Sequence, residues 1–488
     1  MTGRRRRGVL KAIGLGVVGA GTVSATGSVG ASTDAPDPED YETLLDDMDG
    51  TGSADDPYVL TTVAELQAVD GDRSAHYELG ADIDASETEN WNDGAGFEPL
   101  GDSSLTDEMD YGNAFGGTFD GNGYEIRELC VDRPERNRIG LFELFPGSAT
   151  VENVTLVEID VTGAATVGGL VGSSGCELTQ CHVSGTVAGR QNVGGLVGRN
   201  SSTIADSDVT ATVTSENRSA GGLVALNRGT ITRSFASGDV SGEQTIGGLV
   251  GRNESEVTES YATGDVTTGG EGGGLVGMNT SGGSVTDSYA TGNVDADVVV
   301  GGLVGQNGGD VGTSYAVGPV TGGSYSGGLV GMHDGDVTDS YCDEEASGSS
   351  DQLPRINLTS SEMTGDAARD NMDGFDFDGV WRTVSSPDEY PVLGWQVDES
   401  GETAADHASA EGTEEDEDEQ TSDDESVTDD ATEANAGTMG QDSDDGDSTT
   451  DDDGQPGPGI VGALATLGGV TYLLERRARD AGESDRPE

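Results

Sequence analysis

Between Val167 and Tyr341 the chain alternates short apolar runs with clusters of Gly, Asn, Asp and Ser, and the alternation itself repeats. The stretch Gly247–Val266, GGLVGRNESEVTESYATGDV, returns in altered form throughout this region. Aligned on Gly-Gly-Leu, the copies begin at Gly168, Gly194, Gly221, Gly247, Gly273, Gly301 and Gly327, and Gly140-Leu141-Phe142 is an irregular earlier copy. Periods of about 20–50 residues belong to solenoids, propellers or arrays, and the content of one repeat decides which. Here the period is near 26 residues. Each copy holds three pieces rich in β-branched or aromatic residues, such as GGLVG, VTESYA and GDVTTG, separated by turn formers. None has a ten-residue run with 3.6 periodicity, so helical repeats are excluded. A propeller blade needs about 40 residues or more, and the hexapeptide pattern of a left-handed β-helix is absent. The pattern therefore predicts an all-β fold, a right-handed parallel β-helix of about 26 residues per coil.

In such a coil each position stacks on its equivalent about 4.8 Å away, so alignment columns become ladders. Leu170, Leu196, Leu223, Leu249, Leu275, Leu303 and Leu329 form a core column. Two residues on, the column is mainly Gly, while the intervening Val and the variable Arg199, Arg252, Met278, Gln306 and Met332 are expected to face out. Asn200, Asn227, Asn253, Asn279 and Asn307, with Ser174 and His333 at the ends, predict an asparagine ladder at a turn. Phe235, Tyr261, Tyr289, Tyr315 and Tyr341 predict rings stacked along an outer face, there to brace the sheet or, if exposed, to stack on sugars. Their small neighbours, such as Ser260 and Ala262, point inward.

The open strand edges of a β-helix need covers. Residues 51–138 are expected to supply an N-terminal cap and the first coils, 139–345 the repeats, and 346–397, with two of the three tryptophans, a C-terminal cap. Residues 398–456 are rich in carboxylates, Ser, Thr and Gly, a composition expected to stay disordered as an acidic spacer.

Charge narrows the setting. The chain has 92 Asp and Glu against 23 Lys and Arg, a net charge of -69, and Lys11 is its single lysine. Such a surface self-repels in dilute buffer and is screened in brine, which fits a halophile. It also excludes nucleic acid as a partner, since phosphate binding needs clustered cations.

Residues 1–31 have a basic start, a glycine-softened apolar run and small residues, the order of a signal peptide, followed by a linker at 32–50. Arg6, Arg7, Gly8, Val9, Leu10 and Lys11 resemble the twin-arginine export motif, with Val9 where Phe is usual, which implies export of a folded chain. At the other end, PGPGIVGALATLGGVTYLL followed by ERRAR resembles the PGF-type sorting signal of haloarchaeal surface proteins, with Pro458 in place of Phe. The resemblance implies a membrane anchor over 457–479, ahead of a polar tail at 480–488.

Four cysteines are too few for a disulfide scaffold in a chain this long. Cys176 and Cys181 can pair locally in an oxidising exterior, whereas Cys181 and Cys342 occupy Ser and Ala columns and also suit small buried fillers. His182 is the one further zinc ligand near the pair, too few for a metal site, and no cofactor is expected. Six Asn-x-Ser/Thr sequons occur, at Asn153, Asn200, Asn217, Asn253, Asn279 and Asn357. Three lie in the asparagine ladder, so Asn217, in the loop SENRSA, is the glycosylation candidate.

The runs GGLVGRN, VTDSYATGNV and VGGLVGQN, with the flanking GTGSADDPYVLTTVAELQAV, FGGTFDGNGYEI and FDFDGVW, resemble the GLUG repeats of bacterial and archaeal surface proteins over about residues 50–396. That resemblance implies an extracellular β-solenoid and carries over no reaction. Two functions compete: a non-enzymatic adhesin-like or envelope protein meeting surface glycans or proteins, and a polysaccharide lyase or glycosidase built on a β-helix. A lyase wants a Lys or Arg base beside carboxylates, and residues 267–354 contain neither cation. A glycosidase wants two opposed carboxylates about 5–9.5 Å apart, for which His333-Asp334-Gly335-Asp336 is the only suggestive cluster. Asp239, Asp265 and Asn293 recur in turns, as calcium ligands or as solvated turn residues. HExxH and GxSxG protease motifs are missing. The sequence thus favours a non-enzyme without catalytic residues.

Overall fold

The computed structural model describes residues 34–101, 114–349, 351, 353, 356–384 and 389–397. The chain winds into a right-handed parallel β-solenoid of about 8 turns, with about 26 residues in each. Among the described strands, the pairing is parallel from Tyr58–Leu60 to Asn357–Leu358, and Trp381–Arg382 with Val392–Leu393 is the antiparallel exception. One sheet of eight strands runs from Phe142–Phe145 to Val330–His333, and another of eleven runs from Tyr58–Leu60 to Asp336–Thr338. The remaining short strands close the coil.

The three expected pieces per repeat become five strands. In the coil that opens with Val250–Asn253, the strands that follow are Glu256–Thr258, Tyr261–Ala262, Val266–Thr268 and Glu271–Gly273. VTESYA splits because Glu259 adopts a left-handed φ of 46°, and Asp206, Arg233, Asp287, Thr313 and Asp339 do the same one coil apart. A corner there turns the chain, and the backbone N–H just after it points along the rod. A serine column receives it: the Ser234 N–H donates to Ser260 Oγ at 3.2 Å, and Ser260 to Ser288 Oγ at 3.2 Å. Each hydroxyl in turn donates to a carbonyl two residues back, as Ser260 does to Thr258 at 2.7 Å.

The leucine column is buried at 0% exposure from Leu170 to Leu329, as expected. The expectation that the neighbouring Val residues face out is wrong, for Val171, Val197, Val224, Val250, Val276, Val304 and Val330 are buried as well. Strict alternation fails because the chain corners at Gly-Gly-Leu, so two successive side chains turn inward. The corner leaves no room for a side chain: a Cβ on Gly248 would lie 2.1 Å from the Gly274 carbonyl oxygen.

At the N-terminal end, helices Tyr41–Asp47 and Val63–Ala68 cover the first coils, the second held by a capping box between Thr62 and Glu65. Rings of Phe115, Phe119, Phe142 and Phe145 lie 4.7–6.4 Å apart beneath them and fill the coil interior. At the other end, Asn357–Leu358 pairs with Tyr341–Asp343. Asp351, just before it, accepts the Leu329 N–H of the last coil, and after Leu358 the chain turns back along the flank of the rod and lies over the tyrosines as a strap.

Candidate functional site

The tyrosine ladder is the first place the sequence offers for recognition. Rings of Phe235, Tyr261, Tyr289 and Tyr315 stack outside the core with centroids 4.8, 4.9 and 5.0 Å apart and planes within 2°. Stacking is as expected, but an exposed sugar-binding row is not what forms. Tyr289, Tyr315 and Tyr341 are buried under the strap, because flat rings in a row leave a large apolar face that other aromatics cover well. Phe375 sits 5.8 Å from Tyr341, Trp381 5.6 Å from Tyr315 and 6.2 Å from Tyr289, and Trp395 5.8 Å from Tyr261. The phenols find strap partners, Tyr315 donating to the Pro391 carbonyl at 2.6 Å and Tyr341 to that of Asp373 at 3.0 Å. Burial pushes the Tyr261 phenol up to about 12.

The asparagine ladder is likewise engaged. Nδ2 of Asn200 donates to Oδ1 of Asn227 at 2.9 Å, and the relay continues through Asn253 and Asn279 to Asn307 at 2.8–2.9 Å. Each Nδ2 also bonds a carbonyl of its own turn, as Asn253 does to Ser255 at 2.8 Å. With all five side chains buried, the sequons at Asn200, Asn253 and Asn279 have no accessible amide. Asn153 and Asn357 are partly exposed and bonded, to Asp120 at 2.9 Å and to the Asp351 carbonyl at 3.1 Å. Asn217 is exposed.

Turn carboxylates recur as a third ladder. Asp239 Oδ1 accepts the Asp265 N–H at 3.0 Å, and Asp265 accepts both the backbone and side-chain amides of Asn293 at 2.9 and 3.0 Å. Their oxygens thus bond the next coil. Among the described residues, no group of three His, Cys, Asp or Glu is placed to hold a metal. His333, Asp334 and Asp336 are exposed at the turn that ends the asparagine column.

Cys176 and Cys181 are both buried free thiols, so the structure does not form the disulfide considered from their spacing. Cys181 stands in the serine column, its N–H donating to Ser207 Oγ at 3.1 Å, and burial raises its thiol to about 12 and that of Cys176 to about 11. Among the described residues, His182 is not grouped with two further potential metal ligands. Its Nδ1 pairs with Asp208 at 2.5 Å one coil on, directly above Phe235. The hydrogen bond to Asp208 raises the His182 pKa. The protonated pair therefore stabilises the rod fully below the unfolded imidazole value of about 6.5, and the contribution is lost as pH rises through the elevated folded value. Thermal midpoints measured from pH 5 to 9 should fall on the alkaline side for the native chain, and His182→Gln should flatten that slope.

Arg6, Arg7 and the segments 398–456 and 457–479 lie outside the described residues. No described helix is long and apolar enough to cross a membrane.

One feature absent from the sequence reading is a groove of about 610 Å³ at a corner of the upper coils, lined by Asn137, Ala164, Ala165, Arg190, Gln191, Asn217, Arg218 and Gln244. Small local insertions build it. Val131 and Ile139 pair with Val161 and Val167, so the upper coil has two extra residues, Pro134–Arg136 being the bulge between the paired Arg133 and Asn137. Below, Val187 and Val193 pair with Val213 and Ala220, which leaves one extra residue in the Asn217 loop. The two bulges wall off a floor of Ala164 and Ala165. A trace of this was visible in the sequence, since Gly194 to Gly221 is one residue longer than the copies on either side.

Comparison with known proteins places the repeats. The GLUG motif matches residues 189–214 and 242–267. These two copies lie in the coils that hold His182's partner strand, the groove and the top of the tyrosine ladder. Halomucin of Haloquadratum walsbyi is 43% identical over 143 residues, which is 28% of this chain and 2% of Halomucin. A protein of Evansella cellulosilytica named as a Gly-rich membrane protein is 35% identical over 130 residues, 26% of this chain and 14% of that one. The chain thus spans a small fraction of the length of these relatives. Among solved structures, a Bacteroides ovatus protein named for an immunoglobulin A1 protease aligns with a TM-score of 0.42 and 16% identity, over 72% of this chain and 96% of that one.

Proposed function

We propose that the chain is a non-enzymatic surface protein of a halophile, adhesin-like or an envelope component, which presents its rod to surface glycans or proteins. In this reading the rod is exported by the twin-arginine route and held to the membrane by residues 457–479 across the acidic spacer 398–456. One observation carries it: the polar and aromatic side chains that recur on every coil are used to bind the next coil or the strap, as in the Asn253–Asn279 and Tyr261–Tyr289 pairs. Repetition here builds length and rigidity, and recognition falls to the outer surface. The likeness to Halomucin of Haloquadratum walsbyi, and the membrane protein among the relatives, support a surface setting.

A strain lacking residues 398–488 should shed the rod into the medium and lose cell-to-cell or cell-to-surface attachment relative to the intact strain. Release of oligosaccharides or unsaturated uronates from a polysaccharide panel, by purified protein in molar salt, would overturn the non-enzymatic reading.

A further inference from the structure

We infer that the corner groove is the bed of an acidic oligosaccharide attached to Asn217, with Arg218 and Arg190 holding its anionic groups. The inference rests on export to the surface and adds a modification site and a ligand class to that reading.

Four observations converge. First, the six sequons are not equivalent, because three are locked in a buried ladder and two are half-buried and hydrogen-bonded, while Asn217 stands exposed. A chain that folds before export offers a glycosyl-transferring enzyme only what its folded surface presents. Second, Asn217 is carried on the one-residue insertion and lines the groove itself. Its N–H is fixed to the Arg190 carbonyl at 2.9 Å, so the loop is held and the side chain stands at the groove's lower wall.

Third, the lining suits a sugar acid. Amides of Asn137, Gln191 and Gln244 can bond hydroxyls, Ala164 and Ala165 leave space, and two guanidinium groups can bind carboxylate or sulfate through paired hydrogen bonds. Arg218 forms no salt bridge among the described residues, in a chain whose net charge is -69. Arg190 shares its charge with Glu135 of the upper bulge at 3.2 Å, a pair exposed enough to exchange for a ligand. Fourth, the groove is open and polar, so a free sugar would gain little there, and in molar salt unpaired charges are screened within about 3 Å. A glycan joined to Asn217 is already in place, at high effective concentration, and needs only weak contacts to settle.

The attachment balances simply. Asn217 Nδ2 forms a bond to the anomeric carbon of an activated glycosyl phosphate donor, the carbon–oxygen bond to phosphate breaks, and the amide proton leaves with the phosphate or to solvent.

The test uses full-length protein expressed in a halophilic archaeal host, with envelope and cytosolic fractions analysed separately, so that retention inside the cell is told apart from export without modification. Glycopeptide mass spectrometry of the envelope fraction should find a uronate- or sulfate-bearing glycan on the Asn217 peptide and none on those of Asn200, Asn253 and Asn279. An unmodified Asn217 in the exported chain overturns the proposal. Arg218→Gln keeps the sequon and is expected to retain the glycan. It should nevertheless speed glutamyl-endopeptidase cleavage at Glu135 and Glu216 by about tenfold, as a seated glycan is released from the loops it shields. Asn217→Gln should do the same by removing the glycan. Equal cleavage in the native chain and both variants would show a glycan projecting into solvent and would overturn the groove as its bed.

Discussion

Replacing Trp381 with Ala is expected to cost about 3–5 kcal/mol, the range for deleting a fully buried large aromatic. Trp381 is fully buried and touches three rings, with Phe375 at 4.8 Å and Tyr315 and Tyr289 within 6.2 Å, so its loss opens a cavity at the centre of the strap's contact. Its indole N–H also reaches Asp287 at 3.4 Å. The damage should be local first. Urea titration in molar salt should show an early transition that reports the tyrosines, with increased dye binding to the freed aromatic face, followed by the main unfolding of the coils. A single transition shifted as a whole would mean that strap and rod unfold as one unit. An unchanged curve would contradict the burial described here.

The second large effect is expected within the asparagine ladder. Asn253→Ala removes the acceptor of Asn227 Nδ2 and of the Ser255 N–H, and the donor to Asn279 Oδ1 and the Ser255 carbonyl, at a buried position of the column. Stranded buried groups cost about 1–3 kcal/mol each, and partial re-pairing leaves a net loss of about 3 kcal/mol. Asn253→Asp should be no milder, since a carboxylate has no proton to give Asn279 Oδ1. Asn307→Ala should cost about half as much, because below it the column passes to the exposed His333. Circular dichroism melts of the three variants should follow that order, and equal losses at Asn253 and Asn307 would refute a cooperative relay.

Most of the rod was legible because parallel coils make the sequence its own alignment. Leu249, Asn253 and Tyr261 each recur at the coil period, and position in the repeat maps directly onto position in space. What escaped reading has two physical causes. Corners are set by backbone angles, and neither the left-handed φ at Glu259 nor the turn at Gly247-Gly248 follows from hydrophobic alternation, so Val250 was assigned to the wrong side. Long-range packing is also invisible to a local pattern. Nothing near Tyr289 announces that Trp381 and Gln396, about a hundred residues on, return to cover it. The groove arose from departures from the repeat, two residues inserted at Pro134–Arg136 and one at Glu216–Ser219, which alignment on the recurring columns sets aside.

The strap carries the chain away from the rod's end. After Tyr341 the chain climbs past Tyr315 and Tyr289, and Trp395 comes to rest on the Glu259 carbonyl at 3.1 Å, three coils back. Tension arriving through the residues beyond Val397 would therefore meet Gln396 first, then Trp395, then Trp381, one contact at a time. The hydrogen bonds between coils run along the rod's axis and would carry load only after that sequence was spent. A mechanical fuse of this kind would yield in small steps, lengthen the connection and leave the coils intact, and on release the rings could return to the ladder that still stands in register.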